Sequence, residues 1–172
     1  MSVLEIITYP HPTLDLVAQE VKFPLSSEDK TLIADMWQTV DTKGVGLAAP
    51  QVNVSKKICI ICLDPEMIPK KQKIKNNFVM INPQITFLSQ VKANIIEGCL
   101  SFPEQYYKII RPSNIIVKFQ NEKGKWESLK ANGWLSRVIQ HEVDHLNGKL
   151  FINMGGEKIE TEDIKNRKEI VD

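Results

Sequence analysis

The sequence predicts an α+β fold: mixed, mainly antiparallel β-sheets around one central helix, with a further helix near each end. Three observations lead there. Two segments, Ser26 to about Thr42 and Trp134 to about Leu146, repeat apolar residues at helical spacing. Between them lie several short β-branched runs, and a polar, helix-like stretch follows Phe151. Residues 1–172 read as a single domain, with about 155–172 as a polar helical tail.

The first 25 residues contain Pro10, Pro12 and Pro24 and read as irregular. His11, between two prolines in YPHPTLD, reads as a loop residue tying that segment down. In the first helix, Leu32, Ile33, Met36, Trp37 and Val40 form one apolar stripe; Ser26 or Ser27 can cap it and Gly44 can end it. The strand-like runs are KKICIICL, NNFVMINPQITFL, ANIIEGCLSF, YKIIRP and NIIVKFQ, and QNEKGKW reads as a hairpin turn before WESLKA. Pro83 and Pro112 mark interruptions or edge positions, because proline cannot donate to a sheet ladder. PEMIPKKQKIKNN reads as a mobile loop whose lysines form a solvated face. Gly133 precedes the second helix and Gly148 follows it. The tail KIETEDIKNRKEIV is expected to form a C-terminal helix capped by Thr161.

Composition narrows the function classes. The 172 residues are 42% apolar and 25% charged, with net charge +1, so no strong field favours nucleic acid or anionic lipid. No run approaches the roughly 18 apolar residues of a membrane span. The opening MSVLEIITYPHPTLD has neither a secretion-signal pattern nor an Arg-rich transit composition. A cytoplasmic location is therefore expected, an organellar one only if a leader was removed. Three cysteines cannot all pair, which argues against a disulfide framework.

The chemistry concentrates in HEVDH, His141 to His145, in a chain with three histidines. On a helix, residues four apart share a face, so both imidazoles can bind one metal ion. Glu142, beside the first, can work on a metal-bound water. Val138, Ile139, Val143 and Leu146 interleave with this polar set, so the helix is expected to be buried. Buried imidazoles and a buried carboxylate need partners, which a metal supplies.

A third ligand is needed. Cys99, in EGCLSFP, follows a glycine at a strand end, and two histidines with one thiolate would leave one metal position open, as catalytic sites do. Spacing alone does not separate it from Cys59 and Cys62. Those two lie in the apolar run ICIICLD, where residues three apart face opposite sides of a sheet, so they read as core cysteines. GVGLAAPQ, Gly44 to Gln51, is a weak dinucleotide fingerprint: it follows a helix, and Pro50 would interrupt the next turn. It does offer one amide, Gln51, among apolar neighbours.

GVGLAAPQ, EGCLS and QHEVDHLNG, in this order, resemble the peptide deformylase family. The similarity extends to YPHPTL, INP, RP and GKLFIN, and so covers most of the chain. The resemblance implies metal ligands at Cys99, His141 and His145, and Glu142 as the general acid/base while metal-bound water attacks the formyl carbon. It implies oxyanion donors at the Gln51 amide and the Leu100 N–H, substrate contacts at Gly46 and Gly98, and a bracing pair in Glu97 and Arg111. One divalent ion per chain is implied: Fe²⁺ natively, with Zn²⁺, Ni²⁺ or Co²⁺ able to replace it. The implied activity removes the formyl group from the N-terminal formyl-methionine of newly synthesised proteins and releases formate. The implied partners are formyl-methionyl nascent polypeptides and, transiently, the ribosome, with no membrane, no specific nucleic-acid sequence and a monomeric chain. Two departures stand out: Asp15 follows Leu14 where a basic residue is common, and EQYYKII has no arginine near Tyr106.

Two other readings are a small HExxH zinc peptidase and an inactive metal-holding adaptor at the ribosome. The peptidase needs a downstream His or Glu ligand, and the tail has no His; the adaptor has no use for Glu142. The buried face of the second helix, with Val138, is expected to wall the methionine pocket.

Overall fold

The structure is a computed structural model that describes residues 2–40, 44–65, 77–160 and, for the backbone, 170–171. Its two helices are α1 (Ser27–Val40) and α2 (Gly133–Leu146). The strands are β1 (Gly46–Ala48), β2 (Ile58–Cys62), β3 (Asn77–Leu88), β4 (Lys92–Glu97), β5 (Tyr106–Pro112), β6 (Asn114–Gln120), β7 (Trp126–Asn132), β8 (Glu157–Ile159) and β9 (Ile170–Val171). They form a five-stranded sheet in the order β1-β2-β3-β6-β7 and a four-stranded sheet in the order β8-β5-β4-β9. Pairing is antiparallel except between β4 and β9. The predicted α+β class therefore holds.

The Ser26 hydroxyl accepts from the Asp29 N–H (3.1 Å), while Asp29 Oδ2 accepts from the Ser26 N–H (3.2 Å). This reciprocal cap starts α1 by satisfying donors that the first turn leaves open. The helix is described as far as Val40, and the predicted end near Thr42 lies outside the described residues. Ile33, Met36 and Val40 pack on Ile58, Ile60, Val79 and Ile81. On the other face of the same sheet, Cys59, Ile61 and Met80 meet Leu135, Val138, Ile139, Val143 and Leu146 of α2. A strand covered by a helix on each side has no polar face to show, so ICIIC is apolar throughout.

Cys59 is buried in the cluster facing α2, and Cys62 is partly buried against the other cluster, so the two face opposite sides of β2 as predicted. Pro83 sits at an irregularity in β3, where pairing with β6 shifts between Ile81 and Gln84. Beside it, Asn82 takes φ 51° and its amide brackets Val21, accepting from its N–H and donating to its carbonyl, each at 2.9 Å. Pro112 ends β5. The predicted hairpin turn is present: Gly124 N–H donates to the Asn121 carbonyl (2.8 Å), with Gly124 at φ 79°.

The two described ends of the tail are strands rather than helix: Glu157–Ile159 pairs with β5 and Ile170–Val171 pairs with β4. Residues 161–169, where the helix is expected, lie outside the described residues. The β4–β5 hairpin leaves an open row of donors and acceptors on each outer edge, and the tail fills them. Thr161 lies outside the described residues, as does most of the lysine-rich segment expected to be a mobile loop.

Candidate metal centre

Helix α2 runs between the two sheets. Its apolar side packs on the five-stranded sheet, and its polar side meets the four-stranded one. The helical spacing of HEVDH stacks His141 and His145 on that polar side, with ring centroids 4.9 Å apart. β4 ends at Glu97, and the buried Gly98 leads to Cys99 in the turn that follows. The Cys99 sulfur lies 3.3 Å from His145 Nε2, which lies 3.2 Å from His141 Nε2. One ligand atom from each of these three buried residues falls within 4.8 Å of the others.

This donor set fits a metal ion. Glu97, fully buried, accepts from Arg111 Nε (2.6 Å) and Arg137 Nη1 (2.7 Å) at Oε1, and from Arg111 Nη2 (2.9 Å) at Oε2. Burial opposes its ionisation, but hydrogen bonds from His141 and Arg111 outweigh that and hold the carboxyl well below the usual range. An ionised carboxylate only accepts, so His141 Nδ1, 2.9 Å from Oε2, carries the ring proton. With Nδ1 so committed, Nε2 is the ring nitrogen that faces the sulfur and the second imidazole. Burial opposes protonation of His141, but hydrogen bonds with Cys99 and Glu97 outweigh it and hold the pKa well above the usual value, so a metal bound there would take the place of the Nε2 proton. Burial, and then the neighbouring His141, push the His145 pKa far down, which keeps that ring neutral. Two imidazole nitrogens and a sulfur that converge in a buried space are satisfied by a cation. Cys99, His141 and His145 form the one such ligand group among the described residues.

Glu142 borders this cluster. It is 4% exposed, and its Oε2 has no hydrogen-bond partner among the described residues. Burial pushes its pKa up to about 7, with His141 pulling against it and Glu97 adding to it. β1 runs beside it: a Cβ built on Gly46 would lie 2.6 Å from Glu142 Oε1, so only glycine leaves the carboxylate where it is. The chain then turns through a 3-10 segment, Ala49–Val52, which begins next to Pro50 and carries Gln51. Gln51 Oε1 accepts from the Ala48 N–H (2.8 Å), which turns Nε2 toward Cys99 Sγ (3.5 Å) and Ser101 Oγ (3.4 Å). The Leu100 N–H has no acceptor among the described residues.

With this geometry, the comparison with known proteins is direct. The family model for polypeptide deformylase matches residues 3–159. The chain belongs to the polypeptide deformylase family. Among its relatives, the peptide deformylase of Wolbachia sp. subsp. Drosophila simulans (strain wRi) is 44% identical over 156 residues, 88% of this chain and 87% of that protein. The enzyme of Orientia tsutsugamushi (strain Ikeda) is 41% identical over 159 residues, 89% of this chain and 87% of that protein. Among solved structures, peptide deformylase from Ehrlichia chaffeensis in complex with actinonin has a TM-score of 0.82 at 39% identity, covering 90% of this chain and 89% of that one. A Met-Ala-Ser bound class I type b peptide deformylase from Acinetobacter baumannii has a TM-score of 0.79 at 33% identity, covering 88% and 98%.

In this family member, Gln51, Cys99, His141, Glu142 and His145 come together, and the predicted pair Glu97 and Arg111 lies directly behind His141. Val138 does not join them. It has no exposed surface and sits in the core between α2 and the five-stranded sheet, so the expected role in a substrate pocket wall is corrected. Three residues at the site were missed. Arg137 reaches Glu97 from α2, Asp144 pairs with Arg111, and Ser101 faces the Gln51 amide. Arg137 had a signal: it lies four residues before His141, on the same helical face. The pairing of Asp144 had none, because Arg111 reaches it from β5, 33 residues away in sequence.

Proposed function

We propose that this chain removes the formyl group from the N-terminal methionine of new polypeptides, with Cys99, His141 and His145 holding one divalent metal ion. The observation that carries the reading is the convergence of one sulfur and two imidazole nitrogens beside a buried, unpartnered glutamate. A metal held there supplies Lewis acidity, which makes hydroxide available near neutral pH. Glu142 takes the proton from the attacking water and returns it to the departing amine. The water oxygen bonds to the formyl carbon, the C–N bond breaks, and formate and a free methionyl amine result. Gln51 Nε2 and the Leu100 N–H donate to the formyl oxygen as negative charge grows on it. Gly46 and Gly98 line the approach of the peptide, and Glu97 with Arg111 braces His141.

Fe²⁺ is the proposed native ion, with Zn²⁺, Ni²⁺ or Co²⁺ able to replace it in the same donor set. The Met-Ala-Ser bound in the Acinetobacter baumannii relative supports a methionine-headed chain as the product. We assign the activity to a monomeric cytoplasmic domain spanning 1–172 that meets nascent chains through transient contact with the ribosome. No described helix is long and apolar enough to cross a membrane.

The test is formate release from a formyl-methionyl tripeptide by anaerobically prepared, Fe²⁺-loaded protein, with Glu142→Ala beside it. Release by the wild type alone establishes the reaction and the role of the glutamate. Cleavage of an unformylated peptide would favour a zinc peptidase instead. Metal binding without turnover would favour an inactive adaptor.

A further inference from the structure

We propose that Arg137 is a positioning residue of the metal centre: together with Arg111 it clamps Glu97, and so fixes the ring of His141 and the spacing between α2 and Cys99. The proposal rests on the reading of Cys99, His141 and His145 as ligands.

Arg137 is 2% exposed and stands one helical turn before His141. Its guanidinium leaves its own helix entirely. Nη1 donates to Glu97 Oε1 (2.7 Å) and to the Ile109 carbonyl (3.0 Å), and Nη2 donates to the Ala93 carbonyl (2.7 Å). Those acceptors belong to β4 and β5, so one planar fork ties α2 to both central strands of the four-stranded sheet. Arg111 alone reaches both oxygens of Glu97 but holds the carboxylate from one side. With Arg137 added, Oε1 takes two charged donors, and Oε2 is left for Arg111 and His141. The carboxylate then has one orientation, and so has the imidazole bonded to it.

The same fork sets a distance. Glu97 ends β4 and Cys99 follows two residues later, whereas His141 and His145 ride on α2. Arg137 bonds α2 to β4 at Ala93 and at Glu97, and so bounds how far the sulfur stands from the two imidazoles. A residue that only filled volume would not need three acceptors on two strands.

The experiment loads the full chain with Co²⁺ and follows loss of the sulfur-to-cobalt absorption after excess chelator is added. Wild type, Arg137→Met, Arg137→Lys, Glu97→Gln and the double variant Arg137→Met/Glu97→Gln are compared, each with its thermal midpoint. Arg137→Met is expected to release metal about 10- to 100-fold faster than wild type. Arg137→Lys, which can reach Glu97 but not both carbonyls as well, is expected to fall between. In the Glu97→Gln background the Met change is expected to have a smaller effect than it has alone, because one of Arg137's three acceptors is then already altered. Unchanged release from a folded Arg137→Met protein, or effects that multiply in full in the double variant, would overturn the proposal. If Arg137→Met does not fold, Arg137→Lys decides: faster release at an unchanged midpoint supports the proposal, and wild-type release sinks it. A wild type that binds no Co²⁺ would remove the metal reading itself. Metal binding without formate release would remove only the deformylation.

Discussion

His141 Nδ1 lies 2.9 Å from Glu97 Oε2, and this contact decides which ring nitrogen faces Cys99. Glu97, held ionised against burial by hydrogen bonds from His141 and Arg111, only accepts, so Nδ1 carries a ring proton and Nε2 is the nitrogen that faces inward. Glu97→Ala is expected to leave both guanidiniums buried without their shared anion. Breaking a buried pair from one side costs roughly 3–5 kcal/mol. Urea unfolding should show this loss, and a difference below about 1 kcal/mol would contradict it.

Gly46→Ala tests the contact between β1 and the glutamate. The new methyl would meet Glu142 Oε1 at 2.6 Å, and the flexible carboxylate is the group that yields. Deformylation should fall by about 100-fold or more, the usual reach of a displaced acid/base, while the thermal midpoint hardly moves. Full activity in this variant would show that the carboxylate works equally well from elsewhere.

Gln51→Ala removes a donor aimed at the cluster. The expected loss is about 100- to 1,000-fold in kcat with KM little changed, because the bond strengthens only as charge builds on the formyl oxygen. Steady-state kinetics with a formyl-methionyl peptide checks it. A rise in KM alone would make Gln51 a binding residue.

Acid should weaken one surface tie in a defined direction. Asp29 pairs with Lys56 at 2.5 Å and accepts from Ser26. Partial burial raises its pKa, but these bonds outweigh that and hold it below the ordinary value. A lowered folded pKa means that the contribution is complete above the unfolded value of about 3.9 and fades as pH falls through the folded one. Asp29→Asn should therefore cost about 1 kcal/mol at neutral pH and progressively less below pH 4. A gap between the two proteins that is constant from pH 7 to pH 2.5 would rule this out.

Gly148→Ala is expected to destabilise by about 1–3 kcal/mol. Gly148 takes φ 63°, and an added Cβ would lie 2.5 Å from the Asp15 carbonyl oxygen, a backbone atom that cannot step aside. Thermal unfolding measures the shift, and a midpoint equal to wild type would mean that the N-terminal segment gives way.

What the sequence determined by itself is local. Helical spacing alone puts His141 and His145 on one face, and period and turn chemistry alone mark β2 and the Asn121–Lys125 turn. Cys99 was identified only through the resemblance, because strand-end position does not say what a side chain will meet. Tertiary structure decided the pairings across the chain. Arg137 finds Glu97 across 40 residues, and Arg111 finds Asp144 across 33. Neither pairing follows from period or propensity, since both depend on the register of the β4–β5 hairpin against α2. The tail shows the same division. KIETEDIKNRKEIV has a composition that suits a helix, yet its ends became β8 and β9 because open sheet edges were there to accept them. Val138 shows it from the other side: its burial was readable from period, but whether that burial faced a pocket or a sheet depended on where the second sheet left room.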